Sequence, residues 1–174
     1  MRYCILILLG LPACATTRPA PAPDPELTVV LRALEDELAT TPRDTVLLSH
    51  QLAAQTRQAP GFESWLAALL PEEFRRRIPT DLLRRYWQAN KTPRRLRTID
   101  RIGGRPVRLI RRRAASDTTG IFSSSRVGLS PTGDSAVLML GFACPGLCGS
   151  SELWLYVRNE GAWERRRLLY SVVY

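Results

Sequence analysis

The chain contains two closely spaced cysteines, Cys144 and Cys148, on either side of a Pro-Gly turn. Two neighbouring cysteines in an oxidising compartment are expected to pair, so the spacing predicts a structural disulfide that pins the connection between two strands. Redox chemistry is a competing interpretation, although the C-x3-C spacing differs from the C-x2-C motif that lowers a thiol pKa. Zinc binding is an even less favoured interpretation, because these two thiols and the distant His50 provide only three of the four ligands that a closed zinc site needs.

His50 is the only histidine in the chain, and no nucleophile motif accompanies it. A serine or cysteine triad needs a histidine, but the sequence has no G-x-S-x-G elbow. We therefore interpret His50 as a solvated or hydrogen-bonded side chain on a helix. The adjacent acids at 35–37 and 72–73 do not converge on one helix face, so we interpret them as helix solvation. The sequence thus indicates no catalytic residue, no metal site and no cofactor.

Basic residues are concentrated in one block of the chain. The net charge is +9, and residues 75–113 carry 15 basic but only two acidic side chains. Such a block is typical of a surface that meets an anionic partner. The competing interpretation is that the arginines cover solvated faces and are partly neutralised by an acidic N-terminal helix. The candidate anionic-partner surface consists of Arg75, Arg76, Arg77, Arg84, Arg85, Arg94, Arg95, Arg111, Arg112 and Arg113.

The N-terminus has the pattern of an export signal. Arg2 precedes an apolar run at 3–11, which is too short to span a bilayer. Residues 11–14 read LPAC and resemble the lipobox of bacterial lipoproteins, with cysteine as the new first residue. This resemblance implies cleavage behind Ala13 and lipidation of Cys14. The alternative is an ordinary signal cleaved in the same region, which leaves a soluble secreted protein.

Export changes the expected partners. An exported domain meets little nucleic acid, so we expect an anionic envelope polymer, a lipid headgroup or an acidic protein instead. Cys14 is followed by Ala15, and the lipoprotein resemblance implies that chains without aspartate there reach the outer membrane and face the periplasm. Residues 15–26 are rich in proline, and we expect them to form an extended linker of about 3.1 Å per residue. The predicted organisation is a signal peptide at 1–13, the lipidated cysteine and linker at 14–26, and one domain at 27–174.

Helical spacing and capping signals predict several short helices between residues 27 and 90. The segment Asp24-Pro25-Glu26 is a typical helix start. A capping box at Thr41 and Asp44 predicts a second helix that contains Leu47, Leu48 and Leu52 and runs to about residue 58. Two further helices are predicted at 62–70 and 79–90.

The apolar pattern becomes strand-like over residues 96–174. Gly103 and Gly104 predict a hairpin turn. The alternation over 121–130 predicts an outer strand, while the continuous apolar run at 136–143 predicts a central strand covered on both faces. The sequence therefore predicts an α+β fold, with short N-terminal helices packed on a C-terminal antiparallel meander sheet of about four to six strands.

The C-terminal half resembles a group of uncharacterised exported bacterial proteins. The matching segments are SRVGLS at 125–130, AVL at 136–138, the cysteine loop at 144–149 and GAW at 161–163. The resemblance implies the fold and the export, but it carries no activity. The run Ser123-Ser124-Ser125-Arg126, which overlaps the first segment, could line a polar groove, and the competing interpretation is a solvent-facing strand edge. A structural role is also open, in which a buried Arg126 bonds the carbonyls of a neighbouring loop.

Two functions follow from these patterns. The first is a non-catalytic, membrane-anchored envelope lipoprotein that binds an anionic envelope component or a partner protein. The alternative is a small-molecule-binding or enzymatic domain, with a cone between the helices and a curved sheet as in nuclear-transport-factor-like folds.

Overall fold

The computed structural model describes residues 23–41, 43–52, 61–76, 78–111, 120–144 and 148–173. The helices are α1 (Pro25–Thr40), α2 (Phe62–Leu69), α3 (Glu72–Arg75) and α4 (Thr80–Asn90). The strands are β1 (Val46–Ser49), β2 (Gln51–Leu52), β3 (Arg94–Arg95), β4 (Arg101–Ile102), β5 (Arg105–Ile110), β6 (Ile121–Ser124), β7 (Gly128–Leu129), β8 (Ser135–Cys144), β9 (Cys148–Asn159) and β10 (Ala162–Val173).

Eight strands form one mixed sheet in the order β10-β9-β8-β6-β1-β5-β4, and β7 pairs with β8. Strands β8, β9 and β10 form an antiparallel meander, as predicted. Strand β1 lies between β6 and β5 and runs parallel to both. The α+β class is therefore confirmed, while the sheet is larger than predicted and is partly parallel.

The helix predicted to begin near Asp44 is wrong where the structure describes it. Residues 46–49 and 51–52 form β1 and β2, and Val46 and Leu48 are buried within the sheet. A short apolar run fits a buried strand as well as a helix, and here the parallel neighbours on both sides determine the outcome. Residues 53–58 of that predicted helix lie outside the described residues.

The prediction of an outer strand at 121–130 is also wrong. Strand β6 is interior, between β8 and β1, and the segment 125–127 leaves the ladder before β7 begins. The mixture of serines and apolar residues suggested an outer position, and Ser123 is indeed exposed on one face of the sheet. Exposure of a face does not reveal whether the two edges of a strand are paired.

Strand β8 is the central strand that the apolar run predicted. Ala136, Val137 and Leu138 are each 0% exposed. Ala136 and Leu138 pack in a cluster with side chains of α1, whereas Val137 packs with side chains of α2 and α4. Helices therefore cover both faces of this part of the sheet.

Helix α1 contacts strands from both halves of the sheet. Arg165 in β10 donates to the carbonyl oxygen of Ala33 (3.3 Å), and Arg105 in β5 donates to that of Leu38 (2.9 Å). The apolar side chains of α1 pack in one cluster with side chains of β1, β6, β8 and β9.

Candidate functional site

Among the described residues, a densely connected polar site lies where the segment 125–128 meets the start of α1 and the end of α4. We call it the 125–128 junction. It consists of Asp24, Glu26, Asn90, Arg94, Ser125, Arg126, Val127 and Gly128.

Glu26, in the first turn of α1, is the centre of the junction and is only 6% exposed. Arg126 donates to its carboxylate from Nε (3.1 Å) and Nη2 (3.2 Å), and Arg94 donates from Nη1 (2.6 Å). The backbone N–H of Val127 donates at 3.1 Å. Arg94 also pairs with Asp24, which caps α1 by accepting from the backbone N–H of Glu26 (3.1 Å). Two acids and two arginines thus balance each other in this site.

These contacts keep both carboxyl groups ionised. Burial raises the pKa of Glu26, but hydrogen bonds from Arg126, Arg94 and the Val127 N–H outweigh it, so the net pKa lies below its usual value. The pKa of Asp24 is also lowered, chiefly by the hydrogen bond from Arg94. The two acids are therefore fixed anions that hold α1 in place, and they are not proton donors at neutral pH.

The segment 125–128 joins α4 and β8 to the same site. Asn90 donates from Nδ2 to the carbonyl oxygen of Arg126 (3.0 Å) and accepts from its backbone N–H at Oδ1 (2.9 Å). Ser125 Oγ accepts from the backbone N–H of Met139 (2.8 Å). Gly128 lies so close to the backbone of α4 that there is no room for a side chain. Each of these residues contributes a structural contact.

The interpretation of the serine run as a solvent-facing edge is wrong for two of its three members. Ser124 and Ser125 are each 2% exposed, and Ser124 Oγ donates to the carbonyl oxygen of Ser125 (3.0 Å). Only Ser123 is exposed. Arg126 bonds a loop carbonyl, as expected: its Nη1 donates to the backbone carbonyl oxygen of Thr92 (3.4 Å).

A second polar cluster ties β10 to α1. Arg165 donates from Nε to the Tyr156 hydroxyl (3.0 Å), reaches Glu37 (3.4 Å) and lies over the Trp154 ring (4.4 Å). The Tyr156 hydroxyl donates to Asp36 (3.3 Å), and burial raises the pKa of Tyr156 to about 12. Asp36 and Glu37 were interpreted as helix solvation, but they pair with a strand residue far away in sequence. No spacing rule in the sequence signals that partner.

The predicted anionic-partner arginines do not all behave alike. Arg75 and Arg76, at the end of α3 and just after it, both pair with Glu72 at its start. Arg84 reaches Glu63 (3.5 Å) and lies over the Phe62 ring (4.7 Å). Arg94 belongs to the 125–128 junction, and Arg77, Arg112 and Arg113 lie outside the described residues.

The other three members of this predicted surface, Arg85, Arg95 and Arg111, are exposed. None of them forms an ion pair with another residue that the structure describes. Arg85 lines an open groove of about 520 Å³ between α4 and β7, whose floor includes Val127 and Leu129. These three arginines are therefore available to an external anion.

His50 lies between β1 and β2, so its predicted place on a helix is wrong, while its hydrogen bonding is as expected. Its backbone N–H donates to the Ile110 carbonyl oxygen (2.9 Å), which also lies 3.1 Å from Nδ1.

Cys144 and Cys148 lie directly opposite each other on β8 and β9. Their Cα atoms are 5.4 Å apart, which is a disulfide distance.

Two further findings concern the described ranges only. Across those ranges, no three His, Cys, Asp or Glu side chains gather in a way that could hold a metal ion. The helices found there are all too short or too polar to cross a bilayer. The lipobox at 11–14, with Cys14, lies outside the described residues.

Comparison with known proteins adds no relative. No protein-family model matches the chain, and neither a curated protein nor a solved structure matches it. The function must therefore be argued from the residues and contacts of this chain.

Proposed function

We propose that this chain is a non-catalytic lipoprotein of the bacterial cell envelope that is anchored by lipid at Cys14. We further propose that it faces the periplasm from the outer membrane and binds an anionic envelope component or an acidic protein. The observation that carries this proposal is a set of exposed arginines without an acidic partner among the described residues. Within the block at 75–113, that set is Arg85, Arg95, Arg97, Arg101, Arg108 and Arg111.

The contacts around His50 support a shared binding surface for part of this set. The backbone N–H of Leu96 donates to the His50 carbonyl oxygen (2.8 Å), and the N–H of His50 donates to the Ile110 carbonyl oxygen (2.9 Å). Three chain segments therefore lie side by side, so Arg95 and Arg111 are separated by roughly two strand spacings, about 10 Å. That separation is close to the Debye length of about 8 Å at physiological salt, so the charges act together on an anion.

The acids of α1 do not cancel this surface. Asp24 and Glu26 accept from Arg94 and Arg126, while Glu37 pairs with Arg165. Only Arg94 of these three basic partners belongs to the block at 75–113. The competing interpretation, in which the acidic helix neutralises that block, therefore does not account for the exposed arginines.

We expect the unlipidated protein to bind a polyanion in a salt-dependent way. On heparin-agarose, the chain should be retained at low salt and elute as salt screens the arginine charges. The triple variant Arg95→Gln, Arg97→Gln, Arg111→Gln should elute at a clearly lower salt concentration. Its control is Arg158→Gln, Arg166→Gln, Arg167→Gln, which removes the same charge at other exposed positions. Equal elution of the two variants, or no retention of the parent chain, would contradict the proposal.

Lipid attachment has its own test in a bacterial host. Cys14→Ser should abolish incorporation of radiolabelled palmitate and move the protein from the membrane fraction to the soluble fraction. Stable anchoring requires more than one acyl chain, so loss of the single attachment site should remove the protein almost completely. Cys4→Ser is the matched control, because this residue lies within the leader and is removed with it. Membrane retention of the Cys14→Ser protein would exclude the lipid anchor.

We also propose that Cys144 and Cys148 are oxidised in the envelope. Closing so small a loop stabilises a fold by about 2 kcal/mol at most in the chain-entropy treatment. The double variant Cys144→Ser, Cys148→Ser should therefore unfold at modestly lower urea concentration and remain folded at 25 °C. Peptide mapping without reductant should recover the two cysteines in one linked peptide. Free thiols in protein isolated from the periplasm would refute the pairing.

A further inference from the structure

One edge of the large sheet has no pairing strand in the part of the chain that the structure describes. Strand β10 is the last strand in the sheet order and, among the described residues, pairs only with β9. An unpaired edge presents free backbone N–H and C=O groups that can accept another strand. Natural proteins usually protect such an edge with charged residues, bulges or proline.

The charged residues that protect this edge lie only in the first half of β10. Residues 165–167 are three arginines, and one register shift lies beside them, between Arg165 and Arg167. A second register shift lies between Leu168 and Tyr170, at the start of the uncharged segment. From Tyr170 to Val173 the ladder with β9 is regular. The segment 168–173 reads LLYSVV, with no charge, proline or glycine. This composition is typical of segments that pair edge to edge.

The same segment carries the exposed apolar side chains of the described structure. Leu168 is 39% exposed and Val173 is 78% exposed, and no other large hydrophobic side chain among the described residues is classed as exposed. Both side chains lie on one face of the sheet, since their β9 partners Trp154 and Ser150 are an even number of residues apart. Residues 168–173 of β10 therefore present both unpaired backbone groups and exposed apolar side chains to any partner strand.

From this arrangement we infer that β10 pairs with β10 of a second copy of this chain, antiparallel and through residues 168–173. The distribution of charge selects both the partner and its orientation. In an antiparallel pair centred on 168–173, the Arg166 residues of the two copies lie about 30 Å apart, which is beyond the Debye length. A parallel pair, or one centred on the arginines, places like charges next to each other, and this is unfavourable.

A second copy fits this edge because a two-fold axis lets identical segments pair with each other. The uncharged segment meets itself without repulsion, and the two sheets become one continuous sheet. This dimer depends neither on the lipid anchor nor on the arginines at 95–111.

The test uses the mature chain with Cys14→Ser, so that no lipid is attached. Sedimentation velocity over a protein concentration series should give a dimer for this chain. Leu168→Lys with Val173→Lys places lysines in the shared edge and should weaken dimerisation at least tenfold. Ala143→Lys with Ala162→Lys adds the same charge at exposed positions elsewhere in the sheet and should leave dimerisation intact.

A cross-link distinguishes the proposed orientation. Ser171→Cys places a thiol next to the two-fold axis and should give a covalent dimer under oxidising conditions, whereas Arg166→Cys should not. A monomer at every concentration, a dimer that survives the paired lysines, or cross-linking through position 166 in place of 171 would each overturn the inference.

Discussion

Glu26→Gln is expected to reduce the free energy of unfolding by about 2–3 kcal/mol at pH 7. Removing one partner of a fully buried ion pair typically costs 3–5 kcal/mol, because the remaining charge is left uncompensated. The side chains of Arg94 and Arg126 are 40% and 27% exposed, so water can solvate the two guanidinium groups after their carboxylate partner is removed, and the cost is lower. The glutamine oxygen still accepts a hydrogen bond, which lowers the cost further.

Urea unfolding at pH 7 measures this loss, and the chain offers a matched control. Glu35 lies on the same helix, is exposed and forms no ion pair with a described residue. Glu35→Gln should change the free energy of unfolding by less than about 0.5 kcal/mol. If the two variants were equally stable, the 125–128 junction would not hold α1 in the way its contacts indicate.

The pH dependence provides a second readout of the same residue. The pKa of Glu26 in the fold lies below its ordinary value of 4.5, and that of Asp24 lies below 3.8. A lowered carboxyl pKa contributes stability that is present above the unfolded-state pKa and is lost as pH falls through the folded-state pKa. The parent chain should therefore lose stability below about pH 5. The Glu26→Gln protein should lose less over that range, so the two stability curves should converge at low pH.

The elements that sequence reasoning predicted correctly are those specified by nearby residues. Asp24 caps α1 through its own side chain, two residues from its partner N–H. Gly103 and Gly104 adopt the positive φ angles of 53° and 79° that a tight hairpin between β4 and β5 requires. The run at 136–143 is apolar on both faces because helices lie on both sides of β8. In the first two cases the cause lies within a few residues of the pattern, while in the third the apolar run itself indicates that both faces are covered.

The errors have the opposite origin. Strand β1 exists because Val46 and its neighbours pair with residues near Val107, far along the chain. Local capping signals and leucine spacing contain no information about that parallel partner, so they favoured a helix. Likewise, Glu26 and Arg126 are 100 residues apart in sequence. The family resemblance marked Arg126 and its neighbours, but only the folded contacts show that they hold helices to strands.

Gly128 lies at the closest approach between α4 and the sheet, and this position has a sharp requirement. A Cβ atom at residue 128 would lie 2.5 Å from the backbone N and Cα of Tyr86 and 2.5 Å from its side-chain Cβ. The φ angle of Gly128 is not in the positive range, so the requirement is for space and not for an unusual backbone conformation. Tyr86 is 0% exposed and packs with Trp65 and Val137. Any outward shift of α4 therefore opens that core cluster.

Gly128→Ala is accordingly expected to destabilise the protein by about 3 kcal/mol or more, at the upper end of what overpacking costs. Backbone atoms must move to relieve the contact, whereas a flexible side chain could have rotated away. Urea unfolding should show the loss, and near-ultraviolet circular dichroism should show altered packing around Trp65.

Gly61→Ala is the control, since a Cβ at that helix start meets nothing within 4 Å, and its cost should stay within about 1 kcal/mol. Gly128→Val should be worse than Gly128→Ala, because a larger side chain requires a larger displacement of α4. A Gly128→Ala protein as stable as the Gly61→Ala protein would show that α4 is not held against β7 by this close contact.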